Sequence, residues 1–374
     1  MPVRLEGEHR LTRALDLSWG VGASRESIVA DVYQRATPAT AFDTDLAWAE
    51  ELGWWRSFAH TQLTLRGFRG RGTVTAGVRL DDNGALEQGM AWSPRLSARW
   101  QLTPDWSLSG AVGLFHQSPS ALALTVREDG QRVNAGLRPI RVRQFVLGTA
   151  WQPRADLRVS LEGFDKRYSR YPVLRDDPRV SIANLGDDYG FIGAEPLLPI
   201  GEGKARGVEV GVQKKLTDRV YALGAYTLSR SEFSAADGVL RPSTWDVRHA
   251  LDLTGGYRVG DRWELGTRLR VLSGRPFTPF DDEASALEYE ITGRAVPDRD
   301  RIAEVRTAAY ARWDVRVERR FDRSGWNAVL YLDVQNVLDR ENPIGFGYTQ
   351  DPQVPDGLRP LGGTGRLPFF GFSI

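Results

Sequence analysis

Apolar residues recur at every second position through much of the chain, with polar residues between them. The segment 263–271 places Trp, Leu, Thr, Leu and Val at its odd positions and Glu, Gly, Arg and Arg at its even positions. The same alternation runs through 74–80, 157–162, 208–213 and 313–318. A period of two gives a strand one apolar and one polar face, so the pattern predicts half-buried β-strands.

This rule predicts an all-β chain of about 15 strands. The predicted spans are 3–11, 15–34, 56–69, 71–81, 93–101, 105–116, 141–152, 155–168, 205–215, 219–231, 247–258, 262–272, 309–320, 325–336 and 365–374.

The predicted connections alternate between short and long. The short ones lie near 11–14, Gly70, 102–105, 152–154, 216–218, 259–261 and 321–324. The long ones lie near 35–55, 82–92, 117–140, 169–204, 232–246, 273–308 and 337–364. Short periplasmic turns and long extracellular loops are typical of outer-membrane barrels, whereas a soluble sandwich has no reason to segregate them. We therefore expect a transmembrane antiparallel β-barrel whose last strand ends on the periplasmic side.

Composition narrows the possible functions. The chain has 49 Lys and Arg against 48 Asp and Glu, a net charge of +1, which argues against nucleic acid as a partner. It has no cysteine, which excludes disulfides, cysteine-ligated metal centres and cysteine nucleophiles. No apolar run is long enough for a transmembrane helix. Charged residues at alternate positions are compatible with a water-filled barrel interior.

Tryptophans recur near the ends of predicted strands. A membrane barrel would use them as an interfacial girdle with their rings at headgroup depth. Ordinary core or hairpin packing is the alternative for any one of them. The residues concerned are Trp54, Trp55, Trp106, Trp151, Trp263 and Trp326.

Four stretches carry a family resemblance. Residues 203–233 read GKARGVEVGVQKKLTDRVYALGAYTLSRSEF, and residues 245–279 read WDVRHALDLTGGYRVGDRWELGTRLRVLSGRPFTP. Residues 314–343 include LYLDVQNVLDRENP, and residues 108–119 read LSGAVGLFHQSP. In their order along the chain these stretches resemble the barrel of the TonB-dependent outer-membrane receptors, most strongly from about residue 141 onward.

The resemblance implies more polypeptide than this sequence contains. Family members carry an N-terminal plug domain inside a barrel of about 22 strands, and nothing here resembles the plug or the segment that engages TonB. We therefore expect residues 1–374 to be the C-terminal portion of such a barrel, without the plug and roughly seven strands. An odd strand number leaves unpaired backbone groups that cost several kcal/mol each in lipid.

The function implied is TonB-driven uptake of a scarce nutrient across the outer membrane. The nutrient class stays open among siderophore-iron, cobalamin, carbohydrate and peptide. The expected partners are outer-membrane lipid, the nutrient, TonB through the missing plug, and the outer-membrane assembly machinery, since Phe372 and Ile374 keep the alternating C-terminal signal. The alternatives are a passive pore or structural barrel, and a non-functional truncated receptor.

No catalytic, cofactor or metal site is predicted, and we expect no enzyme activity. The histidines His9, His60, His116 and His249 show no metal-binding spacing, and His249 is interpreted as structural. Neither a Gly-x-Ser-x-Gly elbow nor a Walker loop occurs. The glycines Gly201, Gly203 and Gly207 precede a strand instead of a helix, so they do not form a nucleotide loop.

Two groups of residues in the predicted loops are candidate binding sites. The acidic pairs and triplet at 176–177, 187–188 and 281–283 could bind calcium, but their spacing favours solvated loop charges. Loop aromatics could contact a ligand at the outer mouth, although exposed aromatics are common without such a role. These aromatics are Tyr168, Tyr171, Tyr189, Phe191, Phe277, Phe280, Tyr289 and Tyr348. The sequence alone does not identify the ligand-binding residues.

Overall fold

The computed structural model describes residues 2–34, 46–185, 195–217, 219–293, 295–343, 345–354 and 357–374. Within these ranges the chain forms one antiparallel sheet of 16 strands, in which fifteen long strands follow one another in chain order. The remaining strand, Arg241–Pro242, is a short addition to the tenth. Every long strand therefore pairs with its neighbours in sequence, as in a meander.

The long strands are β1 (Val3–Arg10), β2 (Leu15–Gln34), β3 (Leu46–Gly67), β4 (Gly72–Asn83), β5 (Ala91–Gln101), β6 (Trp106–Gln117), β7 (Ile140–Arg154), β8 (Leu157–Leu174), β9 (Leu197–Thr217), β10 (Val220–Ser234), β11 (His249–Val259), β12 (Trp263–Leu272), β13 (Tyr310–Arg323), β14 (Trp326–Gln335) and β15 (Leu367–Ser373). The long connections carry the helices α1 (Ile182–Leu185) and α2 (Asp282–Thr292). They also carry three small antiparallel strand pairs. These are Arg127–Glu128 with Gln131–Arg132, Pro276–Phe277 with Val305–Arg306, and Gly345–Tyr348 with Leu358–Leu361. Within the described ranges no helix is long and apolar enough to cross a membrane.

The predicted strand succession is confirmed, but three strands are longer than predicted at the long-loop end. β3 begins at residue 46 instead of 56, β8 continues to 174 instead of 168, and β9 begins at 197 instead of 205. In the added part of β3, Glu50 and Glu51 pair opposite Ala30 and Val29. The backbone there continues to pair although apolar and polar residues do not alternate. Because the strand prediction used that alternation, it missed the start of β3.

The sheet has an apolar outer face and a polar inner face. On the outer face Leu147 is 50% exposed, Leu265 45% and Leu332 47%. The register places such residues side by side across successive strands, for example Leu147 opposite Gly163 and Gly163 opposite Val208. A continuous exposed apolar surface of this kind suits a lipid environment.

The buried apolar core lies where the long connections cover the inner face. Side chains from β3, the connections after β4, β6, β8 and β12, and the start of β9 pack together there. The core comprises Trp54, Ala85, Leu86, Ala123, Leu124, Leu137, Leu174, Val180, Leu197, Ile302 and Ala303.

Buried Asn134 holds this loop core together. Its side-chain nitrogen donates to the carbonyls of Ala123 and Glu195, each at 2.9 Å. Its side-chain oxygen accepts from the backbone N–H of Leu197 at 2.8 Å. One amide thus satisfies three backbone groups from two segments, the connection after β6 and the start of β9, because a buried polar group without partners would be costly.

The sheet is not closed. Among the described residues β1 pairs with β2 and β15 pairs with β14, and no pairing joins β1 to β15. These two strands are the edges of the sheet.

Candidate functional site

A cleft opens on the inner face toward the long-loop end of β3 to β6. Its volume is about 480 Å³. Three arginines line it, Arg56, Arg79 and Arg95, together with Phe115. Its charged character follows from the strand alternation, because the inner positions of these strands are the ones that face water.

Arg79 has the most contacts of the three cleft arginines. Its Nη2 and Nε atoms lie 2.7 and 2.8 Å from the two carboxylate oxygens of Asp81. Its guanidinium also lies 4.3 Å from the ring centroid of Phe58. A guanidinium held by a carboxylate on one side and stacked on a ring on another is fixed in orientation, while it can still donate to a ligand.

Glycines on β2 make room for the rings of Phe58 and His60 on β3. A Cβ atom at Gly22 would come within 2.6 Å of the Phe58 ring, and one at Gly20 within 2.5 Å of the His60 ring. The two rings are stacked with centroids 6.1 Å apart. The inner surface of β2 is therefore flat at this level, and the rings of β3 lie against it.

The other two arginines are less constrained. Arg56 lies 3.3 Å from Glu26, and the guanidinium of Arg95 lies 5.4 Å from the ring centroid of Phe115. Guanidinium groups interleaved with aromatic rings suit an anionic ligand that has flat or oxygen-rich surfaces.

Ion pairs tie the connection after β8 to the connection after β12. Asp177 accepts from Arg179 at 3.1 Å and from Arg299, on the connection after β12, at 3.1 Å. Burial alone would raise the pKa of Asp177, but the hydrogen bonds from Arg179 and Arg299 outweigh it and lower the pKa below its ordinary value. The carboxylate of Asp177 thus stays charged, and its contact with Arg299 keeps the connection after β8 linked to the connection after β12.

A second ion pair joins the connections after β10 and β12 and involves residues of the motif stretches 203–233 and 245–279. Buried Asp246 accepts from the backbone N–H of Ser231 at 2.7 Å and forms an ion pair with Arg306. Arg306 also donates to the carbonyl of Gly274 at 2.9 Å. A Cβ atom at Gly274 would lie 1.8 Å from the Thr307 carbonyl oxygen, so only glycine fits there.

Asn336, in the motif stretch 314–343, has a similar structural role. Asn336 has a left-handed φ of 52°, and its side chain donates to the carbonyls of Arg340 at 3.0 Å and Thr364 at 3.2 Å. Its N–H donates to Asp314 at 2.8 Å. Asparagine is one of the few residues that tolerate this backbone conformation.

The predicted loop aromatics form two packed clusters. Tyr168 and Tyr171 pack on Phe233, with centroids 5.0 and 4.5 Å from its ring. Phe277, Phe280, Tyr289 and Tyr348 form the other cluster. Phe277 packs on Phe280, Phe280 on Tyr348 and Tyr348 on Tyr289, with centroids 5.3 to 5.7 Å apart, and Phe346 packs on Phe277 at 5.0 Å. Tyr189 and Phe191 lie outside the described residues. The loop prediction is wrong for Tyr168 and Tyr171, which lie in the body and the extended part of β8, so the first cluster joins β8 to Phe233 of β10. The second cluster braces the connections after β12 and β14. None of these aromatics lines the arginine cleft.

The predicted acidic groups act within the loops. Asp176 and Asp177 make ion pairs with arginines, and Asp281 caps α2 by accepting from the N–H of Ala284 at 2.9 Å. Asp187 and Asp188 lie outside the described residues. In the part of the chain that the structure covers, no cluster of metal-ligating side chains occurs.

The four histidines are dispersed. His9 stacks on Trp19, His60 stacks on Phe58, and His116 lies 3.1 Å from Ser93 at the edge of the cleft. His249 Nδ1 lies 2.8 Å from the hydroxyl of Tyr226.

The tryptophans divide between the two faces. Trp106 and Trp151 pair across the outer face next to the short turns, with centroids 6.0 Å apart. Trp263 and Trp326 are also exposed beside short turns, as a girdle requires. Trp55 is exposed on the outer face, but it lies inside β3 rather than at a strand end. Trp54 is only 7% exposed and belongs to the loop core, so the girdle interpretation is wrong for it.

Sequence reasoning did not single out Arg56, Phe58, Arg79 or Arg95. The sequence did indicate that these side chains face the barrel interior, since each occupies a polar-face position of a predicted strand. Their proximity depends on cross-strand register, which places Arg79 opposite both His60 and Ser93. Register between long strands cannot be read from alternation alone.

The chain resembles proteins of known class. Residues 6–337 match the family model described as TonB dependent receptor-like, beta-barrel. An iron-regulated outer membrane virulence protein of Vibrio cholerae is 22% identical over 359 residues, which cover 92% of this chain and 48% of that protein.

Solved structures share the fold. The ferric-catecholate import receptor Fiu of E. coli K12 superposes with a TM-score of 0.66 at 15% identity, over 99% of this chain and 53% of that one. A variant of the ferric enterobactin receptor of Pseudomonas aeruginosa gives 0.67 at 15% identity, over 99% and 52%. The chain thus spans about half the length of the relatives that it matches.

Proposed function

Because this chain belongs to the TonB-dependent receptor β-barrel family, we propose that it forms part of the wall of a receptor for TonB-driven uptake of an anionic iron chelate. The family and the relatives place the chain in the outer membrane. Members of this family are receptors and transporters, not enzymes.

The arginine cleft is the observation that supports the choice of cargo. Siderophore chelates of ferric iron commonly carry net negative charge, and the catecholate type also presents aromatic rings. Arg56, Arg79 and Arg95 supply positive charge beside the rings of Phe58 and Phe115. The names of the relatives, a ferric-catecholate import receptor and an iron-regulated protein, favour the same cargo over cobalamin, carbohydrate or peptide.

The remaining receptor parts belong to the same proposal. Residues 1–374 would be the C-terminal portion of the barrel, and further strands would pair with the free edges of β1 and β15. TonB would act on a plug domain inside the completed barrel. The outer-membrane assembly machinery would recognise the last strand.

An immunoblot of native outer membranes tests this organisation. Antibody against the connection 273–308 should detect a band much heavier than 41.7 kDa. A band at 41.7 kDa would contradict it and would favour the pore or the truncated receptor.

Transport tests the cargo. Cells that produce the protein should accumulate iron supplied as a ferric catecholate, and accumulation should stop when TonB is deleted. Arg95→Gln should weaken chelate binding by about tenfold to a hundredfold, because a hydrogen bond to a charged group contributes about 1.5–3 kcal/mol. Arg95 makes no ion pair within the described residues, so this change should not affect folding.

Arg25→Gln is the matched control, because Arg25 is exposed on the outer face of β2 and lies outside the cleft. Uptake that persists without TonB, together with steady large openings in planar bilayers, would favour the passive pore. Equal binding by the Arg95 variant, the control and the unchanged protein would remove the cleft from the proposal.

A further inference from the structure

A cationic belt crosses the outer face of β7 to β10, just above the apolar band. The register sets Arg143 opposite Arg167, Arg167 opposite Lys204, and Arg206 opposite Arg230. These side chains share the face of Leu147 and Val208, which lie toward the short-turn end. Five cations therefore occupy two adjacent levels of the surface that meets lipid.

Acidic residues neutralise only part of this belt. Asp165 pairs with Arg167 at 3.1 Å, and Glu232 pairs with Arg230 at 2.7 Å and with Lys204 at 3.5 Å. Arg143 and Arg206 are exposed, and neither has an ion-pair partner in the part of the chain that the structure describes. With five cations against two carboxylates, the belt keeps a net positive charge.

A groove lies directly below the belt. Gly163 stands between Leu147 on β7 and Val208 on β9 and leaves a gap in the apolar surface. The groove has a volume of about 640 Å³, and Leu228 also lines it. Arg206 and Arg230 line its upper end together with Asp165, whose carboxylate pairs with Arg167. An apolar trough with guanidinium groups at one end matches a molecule with an acyl chain and an anionic head.

We propose that this groove and belt bind a phosphate-bearing lipid of the leaflet at the long-loop end. An acyl chain lies in the trough over Gly163, and the phosphate oxygens accept hydrogen bonds from Arg206, Arg230 and Arg143. Guanidinium groups bind phosphate with paired hydrogen bonds, and cations at headgroup depth attract anionic lipid. Lipid is the partner that this face meets, since the apolar band continues below the groove through Leu161 and Val210.

A substitution at Gly163 tests the trough without changing any belt residue. A Cβ atom there would meet nothing nearer than the Gly207 carbonyl oxygen at 3.9 Å, so a larger side chain is compatible with the backbone. Gly163→Leu fills the trough while every belt residue stays in place. Conversely, Arg143→Gln and Arg206→Gln remove charge without breaking an ion pair between described residues.

The experiment counts bound lipid on the protein extracted in mild detergent from outer membranes, in the form in which it accumulates there. Native mass spectrometry reports the phosphate-bearing lipid retained by each variant, and titration with that lipid gives relative affinities. Each arginine removed should weaken retention about fivefold. Gly163→Leu should also weaken retention, whereas Arg25→Gln, elsewhere on the outer face, should leave it unchanged.

Equal retention by all variants would overturn the proposal. It would also fail if Gly163→Leu bound as well as the unchanged protein, because the acyl chain would then not use the trough. Inorganic phosphate serves as the last probe. If it displaced the lipid at equal concentration, the belt would be a site for free phosphate and not for lipid.

Discussion

At the scale of single residues, a few buried groups determine how the long connections fold. Asn134 satisfies three backbone groups, and Asp246 with Arg306 joins the connections after β10 and β12. Gly274 lets Thr307 approach within a distance that any Cβ would prevent. These residues are polar or small, so no hydrophobic pattern marks them.

Gly274→Ala should destabilise the connection between β12 and β13 by about 1–3 kcal/mol, because a Cβ atom would force Thr307 away. Faster proteolysis within 273–309 of the folded protein would report the change. Gly53→Ala is the control, since its Cβ would meet only the Arg25 side chain at 3.8 Å and the Glu26 carbonyl at 3.9 Å. Equal proteolysis of both variants would contradict the packing that we describe.

At the scale of elements, the sheet and the connections follow different rules. Strands such as β11 and β12 are specified by alternation and by the short turn between them, and their observed bounds lie close to the predicted ones. The connections fold by packing against one another and through ion pairs such as that of Asp177 with Arg299. The second kind of contact joins residues far apart in sequence.

The Asp177 link should depend on pH in a defined direction. Its pKa is lowered in the folded state, so the link contributes stability above the ordinary value of 3.8 and is lost as pH falls through the lower folded pKa. Hydrogen exchange at 297–304 should thus be slower in the unchanged protein than in Asp177→Asn at pH 5. The two should converge only well below pH 3.8.

A difference between these proteins that disappeared between pH 5 and 4 would mean that the folded pKa is not lowered. Asp322→Asn is the control, because Asp322 is exposed beside a short turn and away from the loops. It should not change exchange at 297–304.

At the scale of the whole molecule, the edges β1 and β15 are the dominant feature. Each presents unpaired backbone groups among the described residues, and such groups in lipid cost several kcal/mol each. Completion of the sheet by further strands would remove both edges.

The 374-residue chain refolded alone in detergent should therefore fail to form a heat-resistant barrel. Its gel migration should be the same with and without boiling, whereas a closed barrel migrates differently before heating. A clear heat-dependent shift would show that β1 and β15 pair with each other after all, and that the chain closes by itself.

The amino-acid sequence by itself determined the fold class of this protein. A period of two across 263–271 and similar segments, with turns alternately short and long, admits a membrane barrel and little else, because each strand must present one face to lipid and the other to water. Part of a motif stretch also has a local reason, since Asn336 suits the left-handed backbone that it adopts. Gly274 belongs to such a stretch as well, but its reason is a tertiary contact with Thr307.

Only the tertiary structure decided which side chains meet. The cleft arginines come from β3, β4 and β5, and the lipid groove needs Gly163 of β8 between Leu147 and Val208. Both depend on register, and shifting a strand by two residues preserves its alternation while changing every neighbour. The loop core likewise joins distant segments whose association has no periodic signature, so sequence alone could not place it.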